Sequence, residues 1–335
     1  MATTEERVRI GGPHFEDFEV GQVFDDAPGL TLTWGHAALH QALVGDRLRL
    51  PLDAALSREV TGRADVLVHP NLVCDVAIGQ STGPTQRVRG NLFYRGLVLL
   101  RPVFRGDTLR TRTEVVGLKQ NRQGSGTGLV ALRVRTENQH SEPVIDFWRC
   151  PMIPLRDPGA QTGHADRFEG IPEELDMGEV EAAAPRDWRL DLFAERAPGR
   201  HFADLVPGTV YEIEGRDTVT AAPELARLTL NVAMTHTDAG AGSDGRRLVY
   251  GGHTIAVAAA QATRALPNLV TILAWRQCDH TGPVFEGDVL STELTVGEVH
   301  RLEHGGLVDL RAVTSADRGE GPEPVLDWRL LGLMA

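Results

Sequence analysis

Asn231 and His236, five residues apart, supply two functions that an acid–base site needs. A histidine titrates near neutrality and can pass a proton in either direction. An asparagine takes no proton but offers a fixed acceptor and donor, suited to holding a water or a substrate group. Downstream, Tyr250-Gly251-Gly252-His253 leads into an Ala-rich run that ends at Leu266 before Pro267, which predicts a helix over 253–266. The first N–H groups of a helix lack intrahelical partners and carry partial positive charge. Glycines there let a ligand oxygen approach, so Gly251, Gly252 and His253 are candidate binders of a developing oxyanion. Arg246, Arg247, Arg276 and His280 lie close by in sequence and are candidate contacts to phosphates or a carboxylate, and Tyr250 is a further candidate for substrate binding. Taken singly these are a capping histidine, a helix-ending asparagine, a tight turn and solvated arginines; it is their juxtaposition that suggests a site.

The elements that must bring these residues together come in two copies. Arg101-Pro102-Val103-Phe104-Arg105-Gly106-Asp107 matches Gly282-Pro283-Val284-Phe285-Glu286-Gly287-Asp288 at an offset of 181 residues, and Glu142–Phe147 matches Glu323–Trp328 at the same offset. Phe15-x-Asp17-x-x-x-Gly21 matches Phe202-x-Asp204-x-x-x-Gly208 near the two starts. The order of the matches predicts a duplication: one unit over 1–156, an acidic Pro- and Gly-rich linker over 157–196, and a second unit over 197–335.

Each copy reads as a helical stretch (34–45; 222–234), a loop, a more apolar helix (71–80; 253–266) and then strands. Val130, Leu132 and Val134 alternate with polar or small residues, the period of a strand with one wet face. This order predicts an α+β unit in which an antiparallel sheet wraps a central helix. The linker reads as a solvated connection with a short helix near 172–177. Asp46 occupies in copy one the place of Asn231 in copy two, and Pro51 the place of His236, so copy one is expected to lack the acid–base pair.

Bulk properties narrow the partners. The formal charge of −12 and the lack of a basic block argue against nucleic acid or an anionic membrane as partner. Cys74, Cys150 and Cys278 are sparse and form no CxxC pair, which fits a reduced compartment. His36 and His40 have helical spacing but no third ligand in a metal-site pattern, so no metal is expected. With no signal-peptide core and no membrane-length apolar run, the expectation is a soluble, cytoplasmic protein.

The Asn-x4-His pair, the Gly-preceded helix and the duplication together resemble the MaoC-type (R)-specific enoyl-CoA hydratases. The similarity is greatest to their mesaconyl-CoA hydratase (β-methylmalyl-CoA dehydratase) branch. It runs through Phe15-Glu16-Asp17-Phe18, Gly117-Leu118-Lys119-Gln120-Asn121, Arg246-Arg247-Leu248-Val249-Tyr250-Gly251-Gly252-His253 and Pro283-x-Phe285-x-Gly287-Asp288. The resemblance implies a double hot-dog fold with the catalytic residues in the second unit. It also implies a hydro-lyase adding water to an α,β-unsaturated acyl-CoA, with CoA present only as part of the substrate and no cofactor. Two fused units already form an internal pseudo-dimer, so a monomer and a homodimer of such chains both fit. Asn231 stands where the broader family carries Asp, and this departure is shared with the mesaconyl-CoA branch. A methyl-branched dicarboxylyl substrate would also need a cation, for which Arg247, Arg276 and His280 are the sequence candidates.

Overall fold

The computed structural model describes residues 7–242 and 245–335. Residues 1–6, at the start of the segment read for a signal peptide, and Ser243 and Asp244, in the loop before Tyr250, lie outside the described residues. The first half contains β1 (Val23–Phe24), β2 (Leu30–Thr31), α1 (Trp34–Val44), α2 (Arg49–Leu52), α3 (Ala54–Thr61) and α4 (Pro70–Gln80). It closes with β3 (Gly90–Leu99), β4 (Thr108–Gln120), β5 (Thr127–Glu137) and β6 (Pro143–Pro154). The connection holds α5 (Met177–Ala183) and α6 (Leu190–Arg196). The second half repeats the order with β7 (Val210–Glu212), β8 (Asp217–Thr218), α7 (Ala222–Leu228), α8 (Gly251–Ala265), β9 (Leu269–His280), β10 (Val289–Arg301), β11 (Gly306–Asp317) and β12 (Pro322–Met334).

The strands form one continuous antiparallel sheet in the order β1-β4-β5-β6-β3-β9-β12-β11-β10-β7, with β2 added on β4 and β8 on β10. The halves join where β3 pairs β9, with Tyr94 opposite Cys278 and Leu97 opposite Trp275. Arg95 Nη1 reaches Asp279 Oδ1 across this seam at 2.6 Å. Each half wraps its sheet round a central helix, α4 or α8, as the double hot-dog expectation requires. Pro70 stands at the first position of α4, where its missing N–H costs nothing, and every residue of that helix is buried. In α8 the alanines at 256, 258, 259, 260 and 262 are all buried, letting sheet and helix close on each other.

Two expectations change. The helix read over 222–234 stops at Leu228, because Leu230 takes a left-handed φ of 61° and turns the chain away. Asn231 therefore lies in an irregular segment and His236 in a single 3₁₀ turn, Met234–His236. The linker is not a solvated connection. Leu175, Val180, Trp188 and Phe193 are buried in a cluster with Val60, Val98, Val270 and Leu331. Its predicted short helix forms later, as α5, with Asp176 accepting from the Gly178 N–H as N-cap.

The two central helices touch each other, and glycine permits the closest approaches around them. A Cβ on Gly79 of α4 would overlap the Thr229 carbonyl oxygen and crowd the Asn231 nitrogen. Gly79→Ala is therefore expected to lower the unfolding free energy by about 1–3 kcal/mol. The effect is read as a lower urea midpoint at unchanged m-value; a wild-type midpoint would show that the backbone is not held against Gly79.

Candidate active site

A cavity of about 370 Å³ opens at the join of the two halves. The second half contributes Asn231, His236, Tyr250, Gly251, Thr254, His280 and Phe285; the first contributes Ile78, Thr82, Thr85, Tyr94 and Arg149. The residues singled out on chemical grounds thus meet on one wall, facing a wall that the other repeat supplies.

His236 is buried, and its Nδ1 lies 2.8 Å from the Leu248 carbonyl oxygen. A carbonyl can only accept, so Nδ1 carries the proton and Nε2 is left with its lone pair. Burial brings the ring's pKa down to about 4; the Leu248 contact opposes that shift and the nearby Arg149 charge adds to it. His236 is therefore a neutral base over the physiological range. Asn231 Oδ1 accepts from the Ala233 N–H at 3.0 Å, which fixes the amide and leaves its NH₂ as the remaining donor. The segment is anchored to the first half, since the Val232 N–H donates to Thr82 Oγ1 at 2.9 Å and the Met234 N–H to the Gln86 carbonyl at 2.8 Å.

Helix α8 begins at Gly251, two residues before the predicted start, with Tyr250 as its N-cap and no side chain capping it. The N–H groups of Gly251 and Gly252 have no protein acceptor among the described residues. Gly251 lines the cavity, and a side chain there would collide with the His280 ring. His280 lines the same wall with Nε2 unpartnered, and burial lowers its pKa to about 4. The Tyr250 ring centroid is 5.7 Å from that of His236, so the tyrosine flanks the base.

Other expected residues fall elsewhere. His253 is buried, outside the cavity wall, and its N–H donates to the Tyr250 carbonyl at 2.9 Å, so neither ring nor N–H serves a ligand oxygen. Gly252 is not in the wall either; a side chain there would overlap the Asp75 carboxylate and the Tyr250 ring. Arg247 is taken by an ion pair with Glu286. Arg276 Nε lies 2.5 Å from Asp309 Oδ2, with Nη2 at 3.2 Å from Met177 Sδ, turned toward α5 and away from the cavity. Neither arginine lines the wall.

Two residues that sequence reasoning passed over enter instead. Arg149, on β6, is 2% exposed and lines the cavity. Asp75, on α4, crosses to the first turn of α8, where the Tyr250 hydroxyl lies 3.4 Å from its carbonyl oxygen. Burial raises the Asp75 carboxyl pKa. No local pattern could mark either, because each acts on the opposite repeat.

In the first half Asp46 and Pro51 form no pair, and Asp46 meets an imidazole from elsewhere, His69. Asp46 Oδ1 is 2.8 Å from His69 Nε2, and His69 caps α4 by accepting the Asn71 N–H at Nδ1. Burial pushes the Asp46 carboxyl up, but the His69 charge and hydrogen bonds from His69 and the Leu48 N–H outweigh it and hold the pKa low. His36 bonds Thr33, whereas His40 Nε2 lies 3.8 Å from Asp75 Oδ2. Pro51 has its carbonyl bonded by Arg105 Nη2 at 2.7 Å.

Comparison with known proteins agrees with this geometry. The sequence model of the mesaconyl-CoA hydratase family matches residues 2–267. A mesaconyl-CoA hydratase of Cereibacter sphaeroides is 31% identical over 283 residues, covering 83% of this chain and 81% of its own. A β-methylmalyl-CoA dehydratase of Chloroflexus aurantiacus is 29% identical over 320 residues, covering 92% and 89%. Among solved structures, a conserved hypothetical protein of Mycobacterium tuberculosis described as a double hotdog fold is 48% identical, with a TM-score of 0.86 over 98% of this chain and all of that one. A MaoC domain protein of Chloroflexus aurantiacus is 26% identical, with a TM-score of 0.85 over 98% of this chain and 99% of its own. Among the described residues no helix is long and apolar enough to cross a membrane.

The buried histidines set a pH dependence of stability. His236, His253 and His280 each have a folded pKa of about 4 against an ordinary 6.5. Between those values the unfolded chain binds protons that the folded chain refuses, so their contribution is full above about pH 6.5 and lost as pH falls toward 4. The urea midpoint is expected to drop between pH 7 and pH 5, and His253→Gln to flatten that drop without touching the cavity wall. A midpoint independent of pH over this range would contradict the burial of neutral rings.

Proposed function

We propose, on the premise that this chain belongs to the mesaconyl-CoA hydratase family, that it interconverts mesaconyl-CoA and β-methylmalyl-CoA through the cavity between its halves. The coarser activity follows from the membership itself: the protein is a hydro-lyase of CoA esters. The observation that carries the site assignment is the convergence, in one cavity, of an unprotonated His236 Nε2, the Asn231 amide and the uncapped start of α8 at Gly251.

In this reading the thioester oxygen sits against the Gly251 N–H. His236 Nε2 takes a proton from water while the hydroxide adds to C3, and the Asn231 NH₂ positions that water. Electron density moves through C2 to the thioester oxygen, where the helix end stabilises the enolate. The proton on His236 then passes to C2, and dehydration reverses each step. The thioester itself acidifies C2, so the scheme draws on no cofactor. Arg89 and Arg246, exposed at the rim, are suited to the phosphates of CoA. The second half thus supplies the acid–base chemistry, and the first half the facing wall.

Loss of enoyl absorbance with mesaconyl-CoA and crotonyl-CoA tests the proposal directly. His236→Ala is expected to reduce turnover on the order of 10²–10⁴-fold with the thermal midpoint preserved; undiminished turnover would sink the mechanism. Because the base works deprotonated and its pKa is about 4, kcat/KM should stay level from neutrality down through mildly acid pH and then fall. A limb centred near the ordinary histidine value would mean that His236 is not the titrating base. Asn231→Asp places a carboxylate beside the same base. Abolished activity would give the amide a positive role, whereas a gain on crotonyl-CoA would make it a specificity device.

A further inference from the structure

Among the described residues, three arginines and no carboxylate line the cavity. Two of them, Arg89 and Arg246, are exposed at its rim, and Arg246 lies over the Phe285 ring at 3.7 Å. Arg149 differs in burial and in how it is held. Its Nη2 donates at 2.7 Å to the carbonyl of Ser81, the C-cap of α4, and at 2.9 Å to Oγ1 of Thr85 in the 3₁₀ turn that follows. The partial negative charge of a helix C-terminus favours a cation there, yet both partners are neutral and Nε has none at all. A buried guanidinium satisfied only in part by neutral acceptors is costly. Burial also presses its pKa down, a sign that the protein lacks a counter-charge at this place. The Tyr94 hydroxyl, on the same wall, makes no hydrogen bond among the described residues.

We propose that Arg149, with the Tyr94 hydroxyl beside it, is the subsite for a free carboxylate on the acyl chain, so that the cavity takes CoA thioesters of unsaturated dicarboxylic acids in preference to neutral enoyl-CoAs. The assignment rests on the hydratase reading of the cavity and names the group that selects among hydratase substrates. It replaces Arg247 and Arg276, which are held by Glu286 and Asp309 outside the wall. The carboxylate supplies the counter-charge that Arg149 lacks, and a guanidinium–carboxylate contact with little water is strong and directional. A neutral chain would leave the cation buried without an anion, which is the basis of rejection. The substrate then spans the halves, with its carboxylate on the first and its reacting carbons beside His236 on the second.

The test compares wild type, Arg149→Gln and Arg149→Lys on mesaconyl-CoA and crotonyl-CoA. It also measures binding of the saturated pair methylsuccinyl-CoA and butyryl-CoA by calorimetry, with a thermal melt of each variant. Arg149→Gln is expected to lose on the order of 100-fold in kcat/KM for mesaconyl-CoA while crotonyl-CoA changes by less than about threefold, and Arg149→Lys to fall between. The preference for methylsuccinyl-CoA over butyryl-CoA should collapse in step. Parallel loss on both enoyl substrates, or a wild type that binds the two saturated thioesters equally, would overturn the subsite. If Arg149→Gln does not fold, the binding ratio in Arg149→Lys decides. Failure of the hydratase reading would look different: wild type would turn over neither mesaconyl-CoA nor crotonyl-CoA, while the binding ratio would still report on Arg149.

Discussion

Everything at the site depends on how closely α4 and α8 approach each other and the segments around them. Gly79 lets α4 meet the Thr229 backbone, and Gly252 lets the Asp75 carboxylate and the Tyr250 ring sit against the first turn of α8. These are contacts to backbone or to buried side chains, so no rotamer change could relieve an added methyl group. The first contact fixes the segment carrying Asn231; the second fixes the end of the helix that begins at Gly251. With both in place, the β3–β9 seam can run straight through a twelve-stranded sheet and leave the cavity around His236 between its halves.

The duplication has diverged in chemistry while keeping its geometry. His69 and Tyr250 are the equivalent N-caps of α4 and α8, and Asp46 and Asn231 stand at equivalent places upstream. In the first half the cap and the acid bond each other; in the second the cap is a phenol, and the imidazole comes from His236 on a 3₁₀ turn. Arg105 shows the same drift. Its counterpart Glu286 is paired with Arg247, but Val66 stands where Arg247 would be, and Arg105 instead lies 3.4 Å over the Trp34 ring with Nε and Nη1 unpartnered. Those atoms are sealed from solvent, as are His40 Nε2 and His69 Nε2. In the first half these groups line a separate pocket of about 180 Å³, and the cavity that carries His236 belongs to the join.

What could be read from the sequence follows from the range of each interaction. The repeat, the two central helices and the strand-rich remainder rest on local periodicity and matched segments, and they stand as read. So does the meeting of Asn231, His236 and Gly251, because all three lie in a stretch where a short loop must return the chain. The end of α7 was misread because Leu230, with nothing in its side chain to favour it, adopts a left-handed conformation. The linker was misread because acidic composition hid Leu175, Val180, Trp188 and Phe193, whose partners are far away in sequence. Asp75 and Arg149 were missed for a related reason: each faces the other repeat, and neither falls within a motif. His253 shows the opposite error, since adjacency to a glycine turn suggested a role that its rotation about the helix axis removes.

The electrostatics of the cavity is the point at which overall charge and local structure part. The chain carries a formal charge of −12, which weakens the approach of any anion at long range. Yet among the described residues the wall around His236 contains no acidic side chain, and its cations are graded from exposed Arg89 and Arg246 to buried Arg149. Screening confines the influence of the distant surface acids to about a Debye length, roughly 8–10 Å in physiological salt, whereas Arg149 acts where little water is present to weaken it. Under the subsite assignment, local charge and not the overall field decides what the cavity accepts. The cation that favours an anionic ligand also lowers the pKa of His236, so the feature that would select the substrate helps to keep the base unprotonated.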